Sequence, residues 1–132
     1  MNPKEFIEKL NEVRGLMTQE NYFDAIQILD KLKKTEKNSG YDYNYDVIHQ
    51  LYQLDSNCRS VYNQQIILNH LKNISDKMKS ISFEELNQEL KDKYNLNLND
   101  QILRREVELL ILRNKLYCKI DKDTIILKSV PQ

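Results

Sequence analysis

Apolar residues recur at helical spacing along most of the chain, and the phase of that recurrence resets often enough to divide it into elements. Asn2-Pro3 supplies a capping side chain and a proline at the first helical position, after which Phe6, Leu10, Val13 and Met17 follow every three or four residues. This spacing predicts a helix from Pro3 to about Thr18. After Gln19-Glu20-Asn21, the residues Phe23, Ala25, Ile26, Leu29 and Leu32 mark a second amphipathic helix, Tyr22 to about Glu36, with Lys31, Lys33, Lys34 and Lys37 gathered toward its C-terminal end, where the helix dipole favours cations. The two are expected to pack as a helical hairpin. Residues 37–44 hold Gly40 and no apolar period, and read as a loop. A short helix is expected at about Tyr45 to Leu54. Asp55-Ser56-Asn57 then offers capping oxygens to a long helix ending near Lys79, with Val61, Ile67, Leu68, Leu71, Ile74 and Met78 as its buried stripe.

Beyond Lys79 the pattern changes. Ser82-Phe83-Glu84-Glu85 is a capping box leading into Phe83, Leu86 and Leu90, and predicts a helix from Phe83 to about Tyr94. A connector with Leu96 and Leu98 follows. Asp100 is then expected to cap a helix to about Asn114, whose apolar face is Leu103, Val107, Leu110 and Ile111. Leu116-Tyr117-Cys118-Lys119-Ile120 alternates at period two, Asp121-Lys122-Asp123 turns, and Thr124-Ile125-Ile126-Leu127 is β-branched, which together predict a β-hairpin. Because an isolated two-stranded ribbon is marginal in water, Leu116, Cys118 and Ile120 must pack on the helices. Helix, short strand at Lys79–Ser82, helix, connector, helix, hairpin is the order of a winged helix. The reading is therefore a mainly α chain, with a helical bundle over residues 1–61 and a winged helix over residues 62–132.

The C-terminal run Ile67-Leu68-Asn69-His70-Leu71, Ile81-Ser82-Phe83-Glu84-Glu85-Leu86, Glu108-Leu109-Leu110-Ile111 and Lys115-Leu116-Tyr117-Cys118-Lys119-Ile120-Asp121 resembles the end of PCI domains, the scaffold subunits of the proteasome lid, the COP9 signalosome and the translation initiation complexes. The same core spacing is similar to the winged helix of the middle subunit of replication protein A. Phe6 to Lys34 resembles the N-terminal helical bundle of transcript-elongation factors. Each of these resemblances implies a module that docks into a larger assembly of protein subunits, and none implies catalysis.

Charge and chemistry narrow the reading further. Twenty basic residues balance twenty acidic ones, so the chain lacks the positive excess that drives tight non-specific polyanion binding. The asymmetry between halves is small: eight basic against ten acidic up to His70, and twelve against ten from Leu71 onward. Only Cys58 and Cys118 are present, too few for a disulfide framework, and no stretch approaches the ~20 apolar residues of a membrane span. With no apolar run of a signal peptide after Met1, the expected location is intracellular, cytoplasmic or nuclear.

His49 and His70 lie in predicted helices without a second ligand at metal spacing. Glu84/Glu85 and Glu106/Glu108 sit on helices expected to be solvated, and Gly15 and Gly40 build no phosphate loop. The two cysteines read as small hydrophobes, with Arg59 beside Cys58 the one cationic neighbour that would favour a thiolate. The chain thus reads as non-enzymatic, with no cofactor and no metal.

Two binding surfaces are expected instead. For a protein partner, Thr124 to Leu127 as an edge strand would offer backbone groups, with Tyr117, Thr124 and Ile126 adding side-chain contacts; Tyr41 and Tyr43, in the loop that also leads to Tyr45, form a second aromatic candidate. For nucleic acid, as in transcription, replication or telomere maintenance, Gln101, Arg104 and Arg105 on the third helix of the winged helix and Lys119, Lys122 and Lys128 on the wing would make contact. Glu106, Glu108, Asp121 and Asp123 lie close enough to those cations in sequence to repel phosphate.

Overall fold

The computed structural model describes residues 1–38 and 43–127, and its chain divides into two compact units, Met1–Tyr62 and Asn63–Gln132. The first unit holds α1 (Pro3–Thr18), α2 (Tyr22–Asn38) and the first part of α3 (Tyr45–Ile74). Helix α1 begins where expected: the Asn2 side chain accepts from the Glu5 N–H at 2.8 Å, and Pro3 stands at the first position. It ends in a left-handed residue, Glu20 at φ 61°, with the Asn21 N–H bonded to the Leu16 carbonyl at 2.8 Å. The core of this unit is Phe6, Leu10, Val13, Ala25, Ile26, Leu29, Leu32, Leu51 and Cys58. Phe23 departs from the expected stripe. It is 57% exposed, because one position further along α2 than Tyr22 turns it away from the face that Ala25, Ile26 and Leu29 share.

Helix α3 is one continuous helix of 30 residues, where the sequence predicted a short helix and a second one capped at Asp55-Ser56-Asn57. The Asp55 carboxylate does not cap backbone. It accepts from Lys33 Nζ of α2 and from Arg59 Nε one turn on, each at 3.0 Å, and Arg59 also pairs with Asp30. The helix also stops earlier than predicted, at Ile74 instead of Lys79.

In the second unit α3 is followed by β1 (Ser80–Ser82), α4 (Phe83–Tyr94), α5 (Asp100–Leu112), β2 (Cys118–Asp121) and β3 (Thr124–Leu127), which is the winged-helix order. The expected capping box is present: Ser82 Oγ accepts from the Glu85 N–H at 3.0 Å and bonds to the Glu85 carboxylate at 3.1 Å. Helix α5 is capped by Asn99, one residue before the Asp100 expected, through Asn99 Oδ1 to the Ile102 N–H at 2.8 Å. It ends at Leu112, after which Asn114 takes a left-handed conformation (φ 57°) and turns the chain into β2. The sheet is antiparallel in the order β1-β3-β2, with Ile125 of β3 facing Ile81 on one side and Ile120 on the other.

This order corrects one expectation. β3, predicted as the edge that would receive a partner strand, is the central strand and is paired along both sides, because β1 adds to the face of the hairpin that the sequence reading left open. The edges are β1 and β2. The inner face of the sheet closes on a core of Ile67, Leu71, Ile74, Ile81, Phe83, Leu86, Leu90, Leu103, Val107, Leu110, Leu116 and Ile125, with Cys118 and Ile120 packed against it as expected.

Two polar groups in α3 are buried within this unit. Gln64 donates to Glu106 of α5 at 2.7 Å and accepts from Arg113 at 3.0 Å, so Glu106, expected on a solvated helix face, is fully buried. His70 lies 3.3 Å from the Tyr94 hydroxyl through Nδ1 and 3.2 Å from Glu89 through Nε2, both on α4.

Two substitutions in the first unit should raise stability. Gly15 sits inside α1 with open space where a Cβ would stand, and Glu20 holds a left-handed conformation that glycine adopts without strain. Gly15→Ala and Glu20→Gly should each add about 0.5–1 kcal/mol. Urea denaturation followed by circular dichroism measures both, and a fall in midpoint for either would contradict the local geometry described.

Candidate interaction surface

Residues expected to contact a protein partner are distributed over the second unit's sheet. Thr124 and Ile126 are half-buried on β3, and Ile126 stands between Lys119 of β2 and Ser80 of β1 in register. They share the sheet's outer face with exposed Lys119 and Asp121, opposite the face that carries Ile125. Tyr117 is 43% exposed immediately before β2, between buried Leu116 and inward-packed Cys118. Of the loop tyrosines, Tyr41 lies outside the described residues. Tyr43 covers the first unit's core: its ring lies tilted with its centre 4.4 Å from that of Phe6, and its hydroxyl donates to the Met1 carbonyl. Tyr45 is the open member of that group, with its ring 6.5 Å from His49.

A groove of about 350 Å³ lies beside the start of β2. Leu71, Leu116, Cys118 and Leu127 give it apolar walls, Tyr117 stands at its mouth, and the remaining lining residues are Lys72, Ser75, Asn114 and Lys115. Leu112, at the end of α5, is 78% exposed. Sequence reasoning did not single out Leu112, Lys72 or Lys115. Leu112 did carry a signal, since it falls outside the Leu103, Val107, Leu110, Ile111 stripe and an apolar residue out of phase on an amphipathic helix has no core to enter.

The residues expected to contact nucleic acid separate into two kinds. Gln101, Arg105, Lys119 and Lys122 are exposed. Arg104 is committed within the unit. Its guanidinium lies 4.5 Å from the centre of the Phe83 ring and donates to the Lys122 carbonyl at 2.6 Å and to Asp123 at 3.3 Å. Lys122 takes a left-handed conformation (φ 56°), so Arg104 clamps the strained turn of the wing onto α4 and α5. A second groove, of about 480 Å³, runs along the N-terminal end of α5 and carries Glu84, Asp100 and Asp123 against Arg104 and Gln101. Lys128 lies outside the described residues.

The remaining chemistry is structural. Cys58 is fully buried, and burial, reinforced by the Asp55 carboxylate, pushes its thiol up despite the opposing charge of Arg59. Among the described residues, no three or more His, Cys, Asp and Glu side chains converge where they could hold a metal, and no helix is long and apolar enough to cross a membrane. A scan against protein-family models, a search of curated proteins and a search of solved structures each returned no match to this chain.

Arg104→Ala should lower stability by about 1–2 kcal/mol, since it removes a charged hydrogen bond from a strained turn, while Lys119→Ala on an exposed site should change it by less than about 0.5 kcal/mol. Equal effects in urea denaturation would contradict the clamp. For Cys58, the raised thiol means that the unfolded chain loses its proton first as pH rises. Its contribution is full below the ordinary thiol range and declines as pH climbs above about 8.5. The denaturation midpoint should therefore fall less steeply above that pH in Cys58→Ala than in the parent chain.

Proposed function

We propose that this protein is a non-enzymatic interaction module that docks its C-terminal winged helix into an assembly of protein subunits. The observation that carries this reading is the open edge of β2, which runs directly into an apolar groove with Tyr117 exposed at the junction. An edge strand offers backbone N–H and C=O groups to a partner strand, and an aromatic side chain with a polar tip supplies rigid contact area beside it. The edge in question is β2, in place of the β3 edge expected from sequence. Exposed Leu112 adds apolar surface of the kind that a solvated helix end has no reason to carry alone.

Nucleic-acid binding keeps one observation in its favour, the exposure of Gln101, Arg105, Lys119 and Lys122. Against it, the end of α5 that would enter a major groove is flanked by Glu84, Asp100 and Asp123, and one of the two arginines proposed to read bases is held by the wing turn.

Recovery of the tagged chain from nuclease-treated native extract, with a high-salt wash, tests the proposal. A stoichiometric set of protein subunits should remain bound, and the paired substitutions Tyr117→Ala and Leu112→Ala should release it while leaving the circular dichroism spectrum unchanged. Loss of all partners on nuclease or salt treatment would instead assign the surface to nucleic acid, whose phosphate contacts weaken steeply with ionic strength.

A further inference from the structure

The groove beside β2 has a charge pattern as well as a shape. Its walls are apolar, its rim carries Lys72 from α3 and Lys115 from the α5–β2 connection, and no carboxylate lines it among the described residues. Both lysines are exposed, and neither takes part in an ion pair among the described residues. In a chain whose charges balance, with carboxylates crowding the groove at the other end of this unit, an apolar trough whose charged lining among the described residues is two lysines is a local departure.

We infer that this groove receives an acidic, apolar-anchored linear segment of a partner protein, with one bulky apolar side chain seated against Leu116, Cys118 and Leu127 and flanking Asp or Glu side chains meeting Lys72 and Lys115. The volume suits such an occupant. At about 350 Å³ the groove is at the small end of the sites that enclose an organic ligand, and its open mouth beside Tyr117 leaves room for the peptide backbone to continue along β2. The apolar contact supplies the affinity, and the lysines supply orientation, speed of encounter and rejection of basic segments. A free small molecule would gain little from lysines on an exposed rim, whereas a peptide carries its carboxylates at the spacing of its own backbone.

This inference rests on the docking function proposed above, and the two separate experimentally. The probe is a phage-displayed library of random peptides, selected on the folded full chain. Selected sequences should combine a bulky apolar residue with neighbouring Asp or Glu. In fluorescence anisotropy the same synthetic peptides should bind the paired variant Lys72→Glu and Lys115→Glu about tenfold or more weakly, and Ser75→Trp, which fills the groove from its exposed wall, should weaken them likewise. Both variants alter exposed positions, and an unchanged urea midpoint verifies that each is folded.

Selection of basic or uncharged sequences, selection of nothing, or equal affinity for the charge-reversed chain would overturn the inference. If the charge-reversed chain still recovers the same subunits from native extract, docking survives and the groove is not where it occurs. If the parent chain recovers none, the docking function itself fails.

Discussion

Strand β3 has a partner along each side, and much of the C-terminal unit follows from that position. Three strands of three or four residues make too small a sheet to persist in water on one face alone, so the inner side chains must be sealed by helices. Ile125 sits at the centre of the arrangement, fully buried, with Ile81 and Ile120 flanking it across the ladders. The β1–β3 ladder is continued at both ends by backbone bonds of 2.9 Å, from the Leu127 N–H to the Lys79 carbonyl and from the Phe83 N–H to the Asp123 carbonyl. The second of these ties the first residue of α4 to the turn of the wing. With β3 occupied on both sides, the hairpin can present only β2 as an outer edge, and any strand-to-strand docking through the hairpin is directed there.

Helix packing in the same unit is fixed by polar groups where apolar contacts would leave latitude. Leucine and isoleucine faces accept small shifts at modest cost. A buried carboxylate does not: Glu106 is stable in its site only while Gln64 and Arg105 bond to it, and Gln64 in turn accepts from Arg113. That network sets α5 against α3 in one register. His70 does the same for α4, because both ring nitrogens find their partners, Tyr94 and Glu89, on that helix. The Arg104 clamp completes the set by holding the wing turn against Phe83. A rigid frame of this kind leaves the surface beside β2 already shaped before any partner arrives, which lowers the ordering cost of binding.

How far the sequence disclosed this depended on whether a feature was local. Helix α4 and strand β3 were legible to the residue, since a capping box and a β-branched run are short signals that act on adjacent backbone. Helix α3 was misread as two helices because Asp55-Ser56-Asn57 imitates a cap, although Leu51 and Cys58 on either side of it are seven residues apart and stay in step on one buried stripe. The Asp that imitated the cap is used for ion pairs with Lys33 and Arg59. The burial of Glu106 was not legible, because its justification is a glutamine 42 residues away. The candidate surface was half legible: Tyr117 stood out by alternation, while Lys72 and Lys115 acquire meaning only when the end of α3 and the start of β2 wall the same groove.

In the docking reading proposed above, the sign of the local charge is what favours one of the two surfaces of this winged helix over the other. Formal neutrality conceals two opposite ends. Along the N-terminal part of α5, Glu84, Asp100 and Asp123 stand with a single arginine whose guanidinium is already satisfied, so a phosphate backbone brought there would meet mostly carboxylates. Beside β2, Lys72 and Lys115 border apolar walls, and no acidic side chain is among the groove's lining in the described residues. Phosphate would be attracted to those lysines too, but a nucleic-acid backbone has no use for the apolar trough beside Leu116, Cys118 and Leu127, and covering it with a charged polymer would leave that trough's desolvation unexploited. A protein segment uses both the trough and the charges at once. The same geometry that removes Arg104 from the third helix's reading face, by committing it to the wing turn, thereby leaves the sheet side as the part of this fold whose chemistry is still available to a partner.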